Sequence, residues 1–176
     1  MVDYRAWMAQ ARSDLECGGR ILAFGETTMR CHALAKYQQA VEKALKALTI
    51  SLRVRWKWEV YPGRRHRAEP LILTLVRFPR SSIGHRDVQG QLSKFFDPGL
   101  RSEVRRLDEL APSWPDEGMP HLRNTEYPYN DPVEGWLPPC EPAAFSPAET
   151  EDHASVSSRV VRRSAQWISS IERRLQ

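Results

Sequence analysis

The stretch that decides the fold is Tyr37-Gln38-Gln39-Ala40-Val41-Glu42-Lys43-Ala44-Leu45-Lys46-Ala47-Leu48. Apolar residues recur in it at three- and four-residue steps, the period of one helix face. Extended in both directions, the same face takes in Leu34 and Leu52, while Lys36, Lys43 and Lys46 stay off it. Glu42 and Lys46 stand in the favourable i,i+4 order, and neither glycine nor proline interrupts the run. The pattern predicts a long core-forming helix from Thr28 to about Leu52. Val41, Ala44 and Leu45 are expected in the core. Gln38, Gln39, Glu42 and Lys43 are expected in solvent or along a dimer seam, with direct nucleotide contact by Lys43 or Lys46 as the alternative.

On the N-terminal side, Tyr4, Trp7, Met8, Ala11, Leu15 and Leu22 mark an amphipathic helix from Asp3 to about Phe24. Asp3 is placed to cap it and Gly25 to stop it. Gly18-Gly19 in its middle implies close approach of another backbone. On the C-terminal side the rhythm changes. Leu52, Val54, Trp56, Trp58 and Val60 alternate with Arg53, Arg55, Lys57 and Glu59, which fits a strand or hairpin arm, or the end of the helix with its indoles against a partner. Pro62-Gly63 makes a turn, and Arg64-Arg65-His66-Arg67 follows it. Short helices are expected at about Glu69 to Phe78 and Leu100 to Ala111, with loop and a short helix between them. Residues 112–147 hold nine of the thirteen prolines, so this segment reads as an irregular crossover pinned by Trp114, Tyr127, Tyr129 and Trp136. Ser146-Pro147-Ala148-Glu149 then opens the last helix as a capping box with proline at the first helical position. The fold expected is all-α: a four- to five-helix bundle with a proline-rich crossover before its last helix, formed by residues 1–176 as one domain.

The chain has 176 residues, 41% hydrophobic and 27% charged, enough for one core without disulfide or metal. Its three cysteines, Cys17, Cys31 and Cys140, form no Cys-x-x-Cys pair, and neither metal nor cofactor is expected. No apolar run reaches the length of a membrane span, and no signal-peptide core is evident, so a cytoplasmic location is expected. The net charge of +4 is unevenly spread: +2 over residues 1–51, +8 over 52–106, −10 over 107–154 and +4 over 155–176. The basic block either complements the acidic one internally or holds an anionic ligand. Arg53, Arg55, Lys57, Arg64, Arg65, His66 and Arg67, with Trp56 and Trp58 among them, suit phosphate contact and base stacking on a single strand. The long apolar stripe of the second helix and the Trp56/Trp58 arm also suggest more apolar surface than a small bundle covers, hence a twofold homodimer.

These residues carry a resemblance. Ala11-x-x-Asp14-Leu15-Glu16 ahead of the Gln38–Lys46 run, His66 before Leu71–Leu75, Tyr127-Pro128, and the long final helix together resemble the HEPN family of helical nucleotide-binding domains. The resemblance implies a small helical bundle, usually homodimeric and often encoded beside a minimal nucleotidyltransferase in toxin–antitoxin or defence systems. Many members are metal-independent ribonucleases with an Arg-x(4–6)-His motif; others lack the motif and are binding modules. In such a ribonuclease the histidine moves protons near neutral pH and the arginine holds the phosphate. Here Glu126 precedes Tyr127-Pro128 where relatives often carry arginine, and Pro128 falls where a histidine would follow Arg123. Arg80-Ser-Ser-Ile-Gly-His85 matches the spacing elsewhere in the chain. The expectation is a dimeric module that binds RNA, a nucleotide or a nucleotidyltransferase or defence partner without cleavage. The alternative is a ribonuclease with a displaced pair, Arg80 with His85 or Arg123 with His121.

Overall fold

The computed structural model describes residues 3–58, 67–77, 83–110, 125, 129–131, 133, 135–142 and 144–173. Within them the chain forms α1 (Tyr4–Ala23), a 3₁₀ turn (Thr27–Met29), α2 (Arg30–Trp56), α3 (Glu69–Val76), α4 (Ile83–Phe95) and α5 (Pro98–Glu109). A small hairpin of β1 (Tyr129–Asp131) and β2 (Gly135–Leu137) precedes α6 (Pro147–Arg173). The helical bundle expected from the sequence is present, with six α-helices among the described residues rather than four or five. The short helix expected between residues 80 and 99 is α4, whose Val88, Leu92 and Phe95 keep helical spacing although Gly90 interrupts them.

The ends of the helices follow local chemistry. The Asp3 carboxylate accepts from the Arg5 amide at 2.9 Å, Asp97 accepts from the Leu100 amide at 2.8 Å, and the Ser146 hydroxyl accepts from the Glu149 amide at 3.1 Å. Each satisfies a first-turn N–H that the helix itself leaves free. Gly25 ends the first helix with φ +74, a left-handed conformation cheap only for glycine. At the end of α2 the same region is taken by Lys57, φ 53. The helix thus runs through the stretch whose alternation suggested a strand. Leu52 is buried and Trp56 half-buried one turn later, while Val54 faces solvent. The period of two coincides there with an i,i+4 pair.

α2 is the axis of the molecule. α1 packs against it antiparallel, and α6 runs parallel to it, reached by way of α3, α4, α5 and the hairpin. Leu34, Ala40, Val41, Ala44, Leu45, Ala47 and Leu48 of α2 are all solvent-free. Val156, Val160 and Val161 of α6, Leu92 and Phe96 around α4, and Leu100, Val104 and Leu107 of α5 share that core, with the exception of Leu34, which packs with Cys31, Leu110, Ala144 and Phe145. The last of these contacts, with Arg30 Nη1 donating to the Phe145 carbonyl at 3.0 Å and Thr125 Oγ1 donating to the Leu110 carbonyl at 2.9 Å, fastens the crossover to the body. Trp114 and Tyr127, expected to do so, lie outside the described residues. Because the apolar stripe of α2 from Leu34 to Leu52 is buried within its own bundle, it is not left uncovered, which removes the ground on which surplus apolar surface was expected there. Phe24, Val54 and Val133 are the large hydrophobic residues left exposed among those described.

Two further devices lock the bundle. Gly18 sits beneath the Tyr37 ring: a Cβ at that position would lie 2.7 Å from Tyr37 Cε1. The close neighbour is thus a buried side chain rather than the backbone expected. α3 begins at Ala68, which has no side-chain cap to offer. Asp108 of α5 supplies it instead, accepting from the Ala68 amide at 2.9 Å, from the Glu69 amide at 2.7 Å and from Gln38 Nε2 at 3.4 Å. Burial raises the Asp108 pKa above the usual carboxylate value, against the lowering effect of those hydrogen bonds.

The two adjacent glycines separate packing from propensity. Gly18→Ala should lose about 1–3 kcal/mol in urea unfolding, because Tyr37 has no room to yield. Gly19→Ala, where a Cβ meets nothing within 4 Å, should instead gain about 0.5–1 kcal/mol from helix propensity. Asp108→Ala leaves buried donors unmet and should cost about 2–3 kcal/mol. The native Asp108 binds its proton more tightly than the unfolded chain does, so its contribution to stability falls as pH rises from the ordinary carboxylate value through the raised one. Unfolding curves of Asp108→Ala across that interval should lack this fall.

Candidate nucleic-acid interface

The residues proposed from sequence for anion binding divide into those the fold consumes and those it presents. Lys46 is consumed: its Nζ lies 2.5 Å from Glu42 Oε1, both side chains are almost fully buried, and the ammonium also stands 5.1 Å from the Trp7 ring centroid. Lys43 is half-buried against Asp14, which Lys36 approaches at 3.6 Å on its other oxygen. Gln38, expected in solvent or at a seam, is buried and bonded to Asp108. The polar side of the Gln38–Lys46 run therefore faces neighbouring helices of the same chain. The physical reason is the enclosure of α2: a charge taken out of water needs a partner.

Arg53 and Lys57 are exposed, and Arg55 is half-buried between them. They occupy the last turn of α2 and the residue that caps it. Antiparallel α1 and parallel α6 bring the start of α1 and the end of α6 to the same end of the bundle, where Tyr4 Oη donates to Glu172 Oε1 at 2.9 Å and Arg5 Nε donates to it at 2.8 Å. That arginine first, and then Tyr4, hold the Glu172 carboxyl below its ordinary pKa. At this end cations stand over half-buried indoles. The Arg55 guanidinium is 5.5 Å from the Trp56 ring centroid, and that of Arg163 is 4.9 Å from Trp167 and 6.0 Å from Phe95. Trp167 meets Phe95 edge-on at 5.3 Å between centroids, and its Nε1 donates to Gln91 Oε1 at 3.3 Å. Trp58 packs half-buried on the same core. The sequence reading found the cluster around Trp56 but not Arg163 and Trp167, which lie more than a hundred residues further on in α6.

Of the other expected residues, Arg67 is exposed just before α3, close enough to Asp108 to lower its pKa. His85 lies in the first turn of α4. Arg64, Arg65, His66, Arg80, His121 and Arg123 fall outside the described residues, so neither Arg/His pair is brought together within them. Among the described residues no group of three or more His, Cys, Asp or Glu could hold a metal ion, and no helix is long and apolar enough to cross a membrane. A cleft of about 900 Å³ between α5 and α6 is lined by Glu103, Glu109, Glu149 and Asp152 with Arg106, His153 and Arg159. Its carboxylates outnumber its arginines and disfavour a polyanion. Comparison with protein-family models, with curated proteins and with solved structures finds no match.

The consumed lysine is open to test. Lys46→Met removes the ammonium that pairs with the buried Glu42 carboxylate and should cost about 3–5 kcal/mol in chemical unfolding. The double variant Lys46→Met/Glu42→Leu should recover most of that loss. A Lys46→Met protein as stable as the wild type would show that Glu42 gains nothing from the pair.

Proposed function

We propose that this protein is a HEPN-like helical module that binds single-stranded RNA at the end of the bundle formed by the last turns of α2 and α6, and does not cleave it. The observation that carries the reading is the stacking of cations on half-buried indoles there, Arg55 on Trp56 and Arg163 on Trp167. An indole offers a sequence-tolerant face to an unstacked base, and an arginine beside it meets the adjoining phosphate. Exposed Arg53 and Lys57 add charge at the same edge.

The non-cleaving half of the reading rests on chemistry. Phosphodiester cleavage without metal needs a group that titrates near neutrality and a cation on the phosphorane. Glu126 and Pro128 stand where the resemblance would place arginine and histidine. The twofold dimer and the nucleotidyltransferase partner that the resemblance implies belong to the same proposal. The exposed apolar surface among the described residues is small, and the module is proposed to act through its charged end.

The test is binding of a fluorescein-labelled 12-mer of polyuridine, followed by anisotropy and by gel. With about five phosphate contacts, affinity should fall on the order of 100-fold between 50 and 200 mM salt. Replacing Arg53, Arg55 and Lys57 together by alanine should weaken it at least tenfold, and the RNA should stay intact through long incubation without metal. Salt-independent binding would overturn the assignment of the site. Cleavage that His85→Ala abolishes would replace the reading with the displaced-pair ribonuclease.

A further inference from the structure

Along the side of the bundle away from α2, α1 and α6 leave a shallow groove of about 480 Å³, room for several phosphate-sized groups rather than a single ion. Arg12 of α1 and Arg162 and Arg173 of α6 line it, and Leu15 and Val161 form part of its floor. Ser158, Gln166 and Ser169 add polar groups between the arginines. No carboxylate lines it among the described residues. The neighbouring surface arginines are partnered: Arg5 with Glu172, Arg20 with Glu16 and Arg159 with Glu103. Arg12, Arg162 and Arg173 are exposed and make no hydrogen bond or ion pair with any described group.

Unpartnered cations in a row repel one another unless an anion lies among them. Arg162 and Arg173 are eleven residues apart on one helix, about 16 Å along its axis, a distance that a chain of phosphates spans and a single carboxylate or sulfate does not. Arg173 follows Glu172, which is tied to Tyr4 and Arg5 at the basic end of the bundle. The groove and the indole cavity lie on different faces of α6 and share the end of the bundle at which α2 and α6 stop. We infer that the groove is a phosphate track: a single RNA strand whose bases stack at the indole end continues its backbone along the α1–α6 groove over Arg12, Arg162 and Arg173. The track rests on the RNA-binding reading and adds to it a second contact surface, on a different pair of helices, in which charge acts without aromatic stacking.

The experiment compares two triple variants on the same 12-mer polyuridine and on a 4-mer, with thermal unfolding as the control for folding. Arg12→Ala/Arg162→Ala/Arg173→Ala should unfold as the wild type does, since all three side chains are exposed. It should weaken 12-mer binding at least tenfold and lower the slope of log affinity against log salt by about 2, the loss of three single-strand phosphate contacts. It should leave 4-mer binding within twofold, because a short strand occupies the indole end alone. Replacement of the same three by lysine should restore most of the affinity. Unchanged 12-mer binding by this variant, with loss on Arg53→Ala/Arg55→Ala/Lys57→Ala, would overturn the track and leave the RNA reading standing. Failure of the wild type to bind either RNA would overturn both. A shift of the groove variant from dimer to monomer in light scattering, with 12-mer binding intact, would show instead that a second copy of the chain occupies the groove.

Discussion

The enclosure of α2 is the constraint on which the rest depends. Where its own bundle buries α2, between about residues 37 and 52 of this 27-residue helix, a polar side chain taken out of water must find a partner among its neighbours. Lys46 takes Glu42 one turn earlier, Lys43 takes Asp14 on α1, and Gln38 takes Asp108 on α5. Thr49 and Ser51 donate back to the Leu45 and Leu48 carbonyls at 2.8 Å. Asp14 and Asp108 lie on other helices, so the bonds to them also set register. Asp14 fixes where α1 lies along α2. Asp108 fixes the start of α3 against the end of α5, doing for α3 what a residue of its own sequence does for α1, α5 and α6.

That constraint also sorts the cations. A basic residue near the middle of α2 is structural because its surroundings are dry, whereas Arg53 and Lys57 at its end meet solvent because the bundle ends there. Net charge by segment does not make this distinction. The +8 block contains Arg105, which donates to Glu69 at 2.9 and 2.6 Å and joins α5 to α3, as well as Lys57, which meets solvent. The smaller +4 segment contributes two of the three arginines of the α1–α6 groove.

Much of the fold was legible because it rests on local rules. The apolar stripe of residues 34–52, the caps at Asp3 and Ser146 and the stop at Gly25 are each contained within a few neighbouring positions. The parts that were not legible depend on distance in sequence. Nothing near Ala68 announces that its helix is capped from Asp108, and nothing near Gly18 announces Tyr37. The alternation from Leu52 to Val60 misled because period two and the i,i+4 step coincide at Leu52 and Trp56, and only the burial of the first and exposure of Val54 separate them. The candidate site was half legible in the same sense. The Trp56 cluster is continuous in sequence, but the Trp167 cluster beside it and the groove along α1 depend on how α6 returns.

In α6 one charge arrangement sets both the stability of the helix and the sign of the faces it presents. Its first turns carry Glu149, Glu151 and Asp152 and its later turns Arg159, Arg162, Arg163 and Arg173, the distribution that complements a helix dipole. The same gradient places carboxylates in the α5–α6 cleft and arginines in the α1–α6 groove, so the two faces of one helix differ in sign. A polyanion approaching the molecule is therefore turned from one face and drawn to the other before any contact forms. The last turns of α2 and α6 present carbonyl ends, whose partial negative charge opposes an anion. The arginines and lysine there more than offset it, because each carries a full charge where a helix end carries about half. The binding proposed at this end would thus depend on side chains rather than on backbone, so charge-removing substitutions, and not helix-capping ones, are the changes that probe it.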